Sequence, residues 1–277
     1  MTEPLIRPMF AADLVPAAEM ILQGGNDRSV FLRWTMDHKP SHMFVAVDAG
    51  RIIGTGIATV HGVIGWVGAI FVDSDRRREG LGERLTRTVI DDLERRGCRT
   101  LVLIASEAGR PLYERLGFDI QMRQVWFTAH GLPATTDEDR VRPFEPAMLR
   151  EVIALDRRAT GEDRSTLIRL LATPDSARIV VGADGAIAGF LIRAPWGGAA
   201  VVAPEADDAI RLLDWRRRQA GTDHAVHAGI PEGDDHRGTR LLNEGWVAGG
   251  AGTRMIRGAP LDWRPNWVWG HYSGAFG

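Results

Sequence analysis

The chain has 277 residues, 44% of them hydrophobic and 25% charged, with a formal net charge of −2. That length suits two domains of about 130 residues rather than one, and the composition is that of a soluble globular chain. A charge so near zero gives no reason to expect a nucleic acid or an anionic membrane as partner, and no apolar run approaches the ~18 residues of a membrane helix.

The opening stretch MTEPLIRPMF lacks the basic and apolar regions of a signal peptide, so a cytoplasmic protein is expected. After Ile6-Arg7-Pro8 a helix starts near Ala11 or Asp13, with Leu14, Ala17, Ala18 and Ile21 at helical spacing and Gly24-Gly25 ending it. A second helical segment covers 31–36, and residues 42–48 and 51–60 read as a hairpin turning at Ala49-Gly50. Residues 64–72 form an apolar strand, Arg76 to Gly82 a basic turn, and 83–96 an amphipathic helix. A buried strand at 100–105, a short helix ending at Gly117 and a strand at 121–128 complete the first half.

The turn carries the sharpest chemistry. Arg77-x-x-Gly80-x-Gly82 sits where a strand hands over to a helix, so the first backbone N–H groups lack partners and glycine lets a phosphate approach them. A pyrophosphate fits such a place; on those three positions alone, a plain surface turn reads equally well. Behind the turn, Leu81, Leu85, Val89 and Leu93 share one helix face, which fixes the helix on a sheet.

Taken with its flanks, the region resembles the GNAT acetyltransferase superfamily. The pattern there is an Arg/Gln-x-x-Gly-x-Gly/Ala turn after a central strand, then, one strand later, a helix ending in Tyr-x-x-x-Gly-Phe; here these are Arg77, Gly80 and Gly82, then Tyr113, Gly117 and Phe118. The resemblance implies an α+β fold whose mixed, mostly antiparallel splayed sheet admits acetyl-coenzyme A as co-substrate. It places Ile70, Phe71 and Val72 beside the thioester, and Arg77, Arg78, Gly80, Leu81, Gly82 and Glu83 around the pyrophosphate. Where many members carry an asparagine that helps hold the coenzyme, this chain has Ser106. The segment between the first two helices overhangs the acceptor site in that superfamily. Asp27, Arg28 and Trp34 are therefore substrate candidates, to which Trp66 and Asp163 are added; an exposed loop and core tryptophans are the plain structural readings of the same residues.

Residues 130–140, HGLPATTDEDR, lack apolar periodicity and read as a linker between a catalytic domain, 1–129, and a second domain, 141–277. The second half repeats the first. Val141-Arg142-Pro143 echoes Ile6-Arg7-Pro8, and Gly185 to Gly189 echoes Gly50 to Gly54, both at an offset of 135. A strand at 199–202, a helix at 206–219 and a strand at 225–230 follow, and Leu241 to Trp246 stands where Leu112 to Phe118 stood. But Pro204-Glu205-Ala206-Asp207-Asp208 replaces the glycine turn, and its carboxylates occupy the positive helix end and repel phosphate. Leu241 takes the place of Tyr113. Two tandem GNAT-like domains, the second degenerate, is the expected architecture. Gly161-Glu162-Asp163-Arg164 reads as a capping turn with surface ion pairs or as part of a substrate site, and the aromatic stretch 263–272 as a terminal strand packing between domains.

The implied chemistry is attack of a neutral amine on a thioester. An alkylammonium of pKa about 10.4 is neutral only about once in two to three thousand at pH 7, so a base or water chain is needed. His61, Asp73, Asp27, Glu107 and Asp163 are candidates, and none is singled out. A backbone N–H at a bulge in the 70–72 strand would hold the oxyanion, and Tyr113 would hydrogen-bond or protonate the leaving thiolate. Cys98, the single cysteine, reads as packing, Lys39 is the only lysine, and no metal spacing is present. The expected acceptor is a small-molecule amine, with a homodimer compatible. The alternatives are a protein or peptide N-acetyltransferase and a non-catalytic acyl-CoA sensor.

Overall fold

The computed structural model describes residues 3–23, 27–38, 41–135, 140–233 and 236–277. Gly24-Gly25, Lys39 and residues 136–139 of the expected linker lie outside these ranges. By packing, the chain divides into a first unit of Met1–Leu103 with Ile256–Ala259 and Gly274–Gly277, and a second of Ile104–Met255 with Pro260–Ser273. The division by packing falls inside a strand, whereas the division by repeat runs through 130–140.

The first unit comprises β1 (Leu5–Pro8), α1 (Leu14–Leu22), α2 (Ser29–Asp37), β2 (Ser41–Asp48), β3 (Arg51–His61), β4 (Ile64–Val72), α3 (Leu81–Arg95) and the start of β5 (Thr100–Ala105). The strands lie in the order β1-β2-β3-β4-β5, antiparallel except for the β4–β5 pair. The helix expected at 83–96 begins two residues earlier, because Gly80 is its N-cap and brings Leu81 and Gly82 into the first turn. Leu81, Leu85, Val89, Ile90 and Leu93 are buried. That stripe sits on glycines: a Cβ at Gly54 would lie 2.7 Å from Leu85 Cδ1, and one at Gly65 2.9 Å from Leu93 Cδ2. Removing the Leu85 side chain from so close a seat would cost about 2–5 kcal/mol. The same seat, in β3, holds the first half of α3 against the sheet.

The second unit continues with α4 (Arg110–Arg115), β6 (Asp119–His130), β7 (Val141–Pro143), α5 (Leu149–Thr160), α6 (Ser165–Leu171), β8 (Ala177–Val181), β9 (Ile187–Arg193) and β10 (Ala199–Val202). It ends with α7 (Ala206–Ala220), β11 (Ala225–Pro231), α8 (Arg237–Asn243), β12 (Val247–Gly258) and β13 (Val268–Gly270). One five-stranded sheet runs β13-β10-β9-β8-β7, and β12, β6 and β11 lie side by side. The internal repeat is visible in the backbone. Strands β7-β8-β9-β10 pair in the order of β1-β2-β3-β4, and Gly50 and Gly185, at the corresponding hairpin turns, have φ of 80° and 82°. Phe118 N donates to Tyr113 O after α4, and Trp246 N to Leu241 O after α8, each at 3.0 Å.

Candidate active site

The splay is built into β4. Its register with β5 comprises Ile64↔Thr100, Gly65↔Leu101 and Trp66↔Val102, and stops there among the described residues, while β4 runs on to Val72. Residues Ala69 to Val72 are half-buried, in contrast to the buried Ile64 to Gly68. On the other edge the β3 register jumps from Thr55↔Phe71 to Ile57↔Gly68, so two residues of β4 oppose one of β3. Ala69 takes φ of 50° at this bulge, and Thr55 Oγ1 donates to its carbonyl at 2.9 Å. A bulge of this kind turns backbone groups out of the ladder.

The turn after β4 is tightly tied. Asp73 accepts from Asp75 N and receives Arg51 at 2.7 Å. Arg76 is held by Asp48 and by Glu79 at 2.9 Å, and hydrogen bonding to these carboxylates raises its pKa further. Arg77 and Arg78 remain exposed; Arg77 Nε donates to Val72 O at 3.2 Å. Arg78 and Gly80 are left-handed, at φ of 68° and 80°, a curled backbone that gathers successive N–H groups on one side. The first helical bond is Arg84 N to Gly80 O at 3.1 Å, so the N–H groups of Leu81, Gly82 and Glu83 have no acceptor within the helix. Leu81 offers only this N–H, since its side chain is in the core beside Ala46, Ile53 and Leu85. Glu83 turns away to Arg87 at 2.8 Å.

Tyr113 and Ser106 belong to the second unit. Ser106 Oγ accepts from Gly109 N at 3.2 Å, which holds the turn into α4. The Tyr113 ring lies over Gly109, where a Cβ would stand only 3.3 Å from Tyr113 Cε2, and meets Phe118 edge-on at 6.2 Å. Burial pushes its phenol up to about 12, so it is a hydrogen-bond donor throughout the neutral range. Cys98 is buried and its thiol is pushed up to about 11 by desolvation, which fits packing and not a nucleophile.

In the second half the corresponding opening is filled. Strand β13 pairs with β10 through Val201↔Gly270 and Val202↔Val268, and Trp269 Nε1 donates to Ala203 O at 3.2 Å. Asp207 and Asp208 occupy the first turn of α7; Asp208 takes Arg211 at 2.8 Å and Arg140 at 3.2 Å. No residue from 203 to 208 has a left-handed φ. The edge of β10 that corresponds to the free edge of β4 is therefore paired with β13, and residues 203–208 lack the left-handed curl of the turn after β4.

The remaining candidates have structural neighbours. Asp27 accepts from Ser29 N at 2.9 Å, which lowers its pKa. Trp34 stacks on His38 at 4.3 Å and meets the Phe276 ring edge-on at 5.8 Å. Trp66 is buried against Gly277. His61 is buried with Nε2 3.1 Å from Phe276 O. Glu107 is exposed. Asp163 is 3.6 Å from Arg157 and accepts from Ser165 N, the capping turn that the sequence offered as one reading. Its neighbours correct the rest of that reading: Arg164 is buried and forked onto the equally buried Asp156, and Glu162 lies 3.5 Å from buried Arg254. Glu162 and Arg164 are therefore interior, where one of the two readings of 161–164 had surface ion pairs. Segment 274–277 also packs in the first unit, which no local pattern announces. Among the described residues no group of three His, Cys, Asp or Glu side chains is placed to hold a metal ion, and no helix is long and apolar enough to cross a membrane.

Comparison with known proteins gives this geometry relatives. The model of the acetyltransferase (GNAT) family matches residues 10–118. N-alpha-acetyltransferase 30 of Schizosaccharomyces pombe is 32% identical over 110 residues, which cover 37% of this chain and 73% of that protein. YitH of Bacillus subtilis, an uncharacterized N-acetyltransferase, is 26% identical over 172 residues, 60% of each chain, so this chain spans 60% of that relative's length. Among solved structures, a candidate acetyltransferase from Pyrococcus horikoshii aligns with all of this chain and 97% of its own, with a TM-score of 0.83 at 20% identity. A tandem GNAT protein from the clavulanic acid biosynthesis pathway aligns over 94% and 100%, with a TM-score of 0.64 at 16% identity.

Proposed function

The chain belongs to the GNAT acetyltransferase family, and from that premise we propose that it moves an acetyl group from acetyl-coenzyme A to the amine of a small-molecule acceptor by direct attack. The observation that carries this reading is the open edge of β4 leading straight into an unpaired helix N-terminus, set against a second half whose own edge is occupied by β13. We assign the chemistry to residues 1–129 and a coenzyme-free role to 141–277, joined through 130–140.

In this reading the N–H groups of Leu81, Gly82 and Glu83, with Arg77 and Arg78, hold the pyrophosphate, because a helix N-terminus and exposed cations favour its charge. The backbone from Ile70 to Val72 faces the acyl group, and the bulge at Ala69 supplies the donor for the oxyanion. Ser106 serves the coenzyme beside its own turn. When bound, the coenzyme supplies an activated acyl carbon and a thiolate leaving group. The amine nitrogen forms a bond to that carbon, the carbon–sulfur bond breaks, and Tyr113 donates a hydrogen bond to the departing sulfur. Water takes the ammonium proton before attack and the second nitrogen proton as the amide forms, since Asp27, Asp73 and Asp163 are each engaged in capping their own turns.

The similarity to N-alpha-acetyltransferase 30 favours a second reading, with a peptide N-terminus as acceptor. Thiol release from acetyl-coenzyme A, followed over a panel of small amines and of peptides, separates the two. Release on small amines supports the proposal, and release on peptides alone moves the assignment to the second reading. Binding of the coenzyme with release on neither contradicts both and leaves a sensor.

A further inference from the structure

Strand β4 contains a strained residue, and one buried side chain grips it. Ala69 lies inside the strand at φ of 50°, a conformation costly for any residue with a Cβ. The other described non-glycine residues of positive φ lie outside strands: Ala49 and Arg78 in turns, and His236 at a helix cap. Where a bulge needs a left-handed residue, glycine supplies it without that cost. Strain of this kind persists only where the surroundings hold it, and it gathers at working backbone. The grip comes from Thr55 of β3, which is 1% exposed and whose Oγ1 donates to Ala69 O at 2.9 Å. The Ala69–Ile70 peptide is trans, so its carbonyl and its N–H point in opposite directions from one plane. Holding Ala69 O toward β3 therefore turns Ile70 N–H away from β3. The ladder agrees. Asp73 N donates to Ile53 O at 3.0 Å, so alternation directs Phe71 N–H toward β3 and those of Ile70 and Val72 to the opposite edge. On that edge the register with β5 has already ended at Trp66↔Val102.

The second half supplies the contrast. The offset of 135 puts Phe190 at the place of Thr55, and its register Phe190↔Val202 stands for Thr55↔Phe71. From there β9 and β10 pair without a shift as far as Arg193↔Ala199, and no residue of β10 has a positive φ. Hydroxyl, bulge and left-handed residue thus occur together in the half that carries the phosphate turn, and the other half has none of the three at these positions. We infer that Thr55 is a positioning residue for acyl transfer: its hydroxyl locks the Ala69–Ile70 peptide so that Ile70 N–H is the fixed donor to the oxyanion. The inference rests on the transferase reading and names the residue that prepares its donor. A donor lowers the barrier most when it is aimed before charge develops, because a peptide free to turn must be reorganised during the reaction. The Thr55 proton is committed to Ala69 O, so Thr55 acts through the peptide and not on the acyl group.

The test compares Thr55→Val, which keeps the branched shape and removes the hydroxyl, with Thr55→Ser, which keeps the hydroxyl. Acetyl-coenzyme A carrying a carbon-13 label at the acyl carbonyl is bound to the full chain, and difference infrared spectroscopy reads the carbonyl stretch. Thiol release on the small amine that the wild type uses best reads turnover. In the wild type the carbonyl band should move to lower frequency on binding, because a donor aimed at its oxygen polarises it. Thr55→Val should lose most of that shift and lower kcat by about 10- to 100-fold, with affinity for coenzyme A within about twofold and KM for the amine little changed. Thr55→Ser should keep the shift and most of kcat. A hydroxyl that only satisfies a buried carbonyl would lower Tm in Thr55→Val while leaving band and kcat at wild-type values, and that result overturns the inference. Equal loss of band shift and kcat in Thr55→Ser and Thr55→Val overturns it too. Should Thr55→Val fail to fold, Thr55→Ala set against Thr55→Ser carries the same comparison. Turnover indifferent to Thr55→Val would leave the transferase reading standing while removing this one; a band shift that depends on the Thr55 hydroxyl, with no thiol release on any acceptor, would do the reverse.

Discussion

Replacing Tyr113 by phenylalanine tests what kind of help the leaving thiolate receives. Burial pushes the Tyr113 phenol up to about 12, whereas a free thiol titrates near 8.5. The gap of about 3.5 units makes full proton transfer from phenol to thiolate uphill by about 5 kcal/mol. Tyr113 therefore acts as a donor that stays protonated, and a hydrogen bond to a charged partner contributes about 1.5–3 kcal/mol. Tyr113→Phe should lower kcat by about 10- to 100-fold. The ring keeps its packing on Gly109 and Phe118, so coenzyme affinity should stay within about twofold and Tm unchanged. The pH dependence carries the sharper signature. A raised pKa keeps the donor form fully present below about pH 11, so the rate should rise as the acceptor ammonium loses its proton and show no falling limb in that range. Steady-state thiol release between about pH 6 and 10 measures both. A falling limb near pH 8 or 9 that disappears in Tyr113→Phe would refute the reasoning, as would equal loss of coenzyme binding and turnover.

Gly82→Asp puts a carboxylate in the first turn of α3, where a charge about 4 Å from phosphate costs about 1–4 kcal/mol per phosphate charge; calorimetry should show coenzyme affinity falling at least about 100-fold with Tm preserved. Asp156→Ala strands the buried guanidinium of Arg164 and should destabilise the fold by about 3–5 kcal/mol in urea unfolding, whereas Asp163→Ala should cost about 1 kcal/mol. Cys98, with its thiol near 11, holds about one thiolate in a thousand at pH 8, so iodoacetamide should alkylate it at least about two hundredfold more slowly than free cysteine.

What the sequence made legible is where local pattern and tertiary role agree. The run IGWVGAIFV declares a strand by its continuous apolar character, the two glycines a turn, and the stripe Leu81, Leu85, Val89, Leu93 a helix whose burial follows its period. The start of α3 moved only because an N-cap glycine admits its next two residues to the helix. Strand β12, VAGGAGTRMIRG, was not legible: its glycines have no strand propensity, and it forms because neighbouring strands distant in the sequence lend it partners. The charges of Glu162 and Arg164 read as surface because a buried charge is costly alone; their partners are Asp156, on the preceding helix, and Arg254, far along the chain, and no local pattern announces either pairing. Strand β13 and segment 274–277 owe their places to neighbours outside their own sequence, so no periodicity could assign the filled edge of β10 or the covered face of Trp66.

The central claim is that one half of this chain, and only one, offers a site for the coenzyme. Calorimetric titration of coenzyme A into the purified chain tests it most directly. The account predicts a single saturable site per chain that is lost in Gly82→Asp. A stoichiometry of two would contradict the closure of the second half by β13, and no binding, or binding indifferent to Gly82→Asp, would contradict the assignment of the phosphate turn.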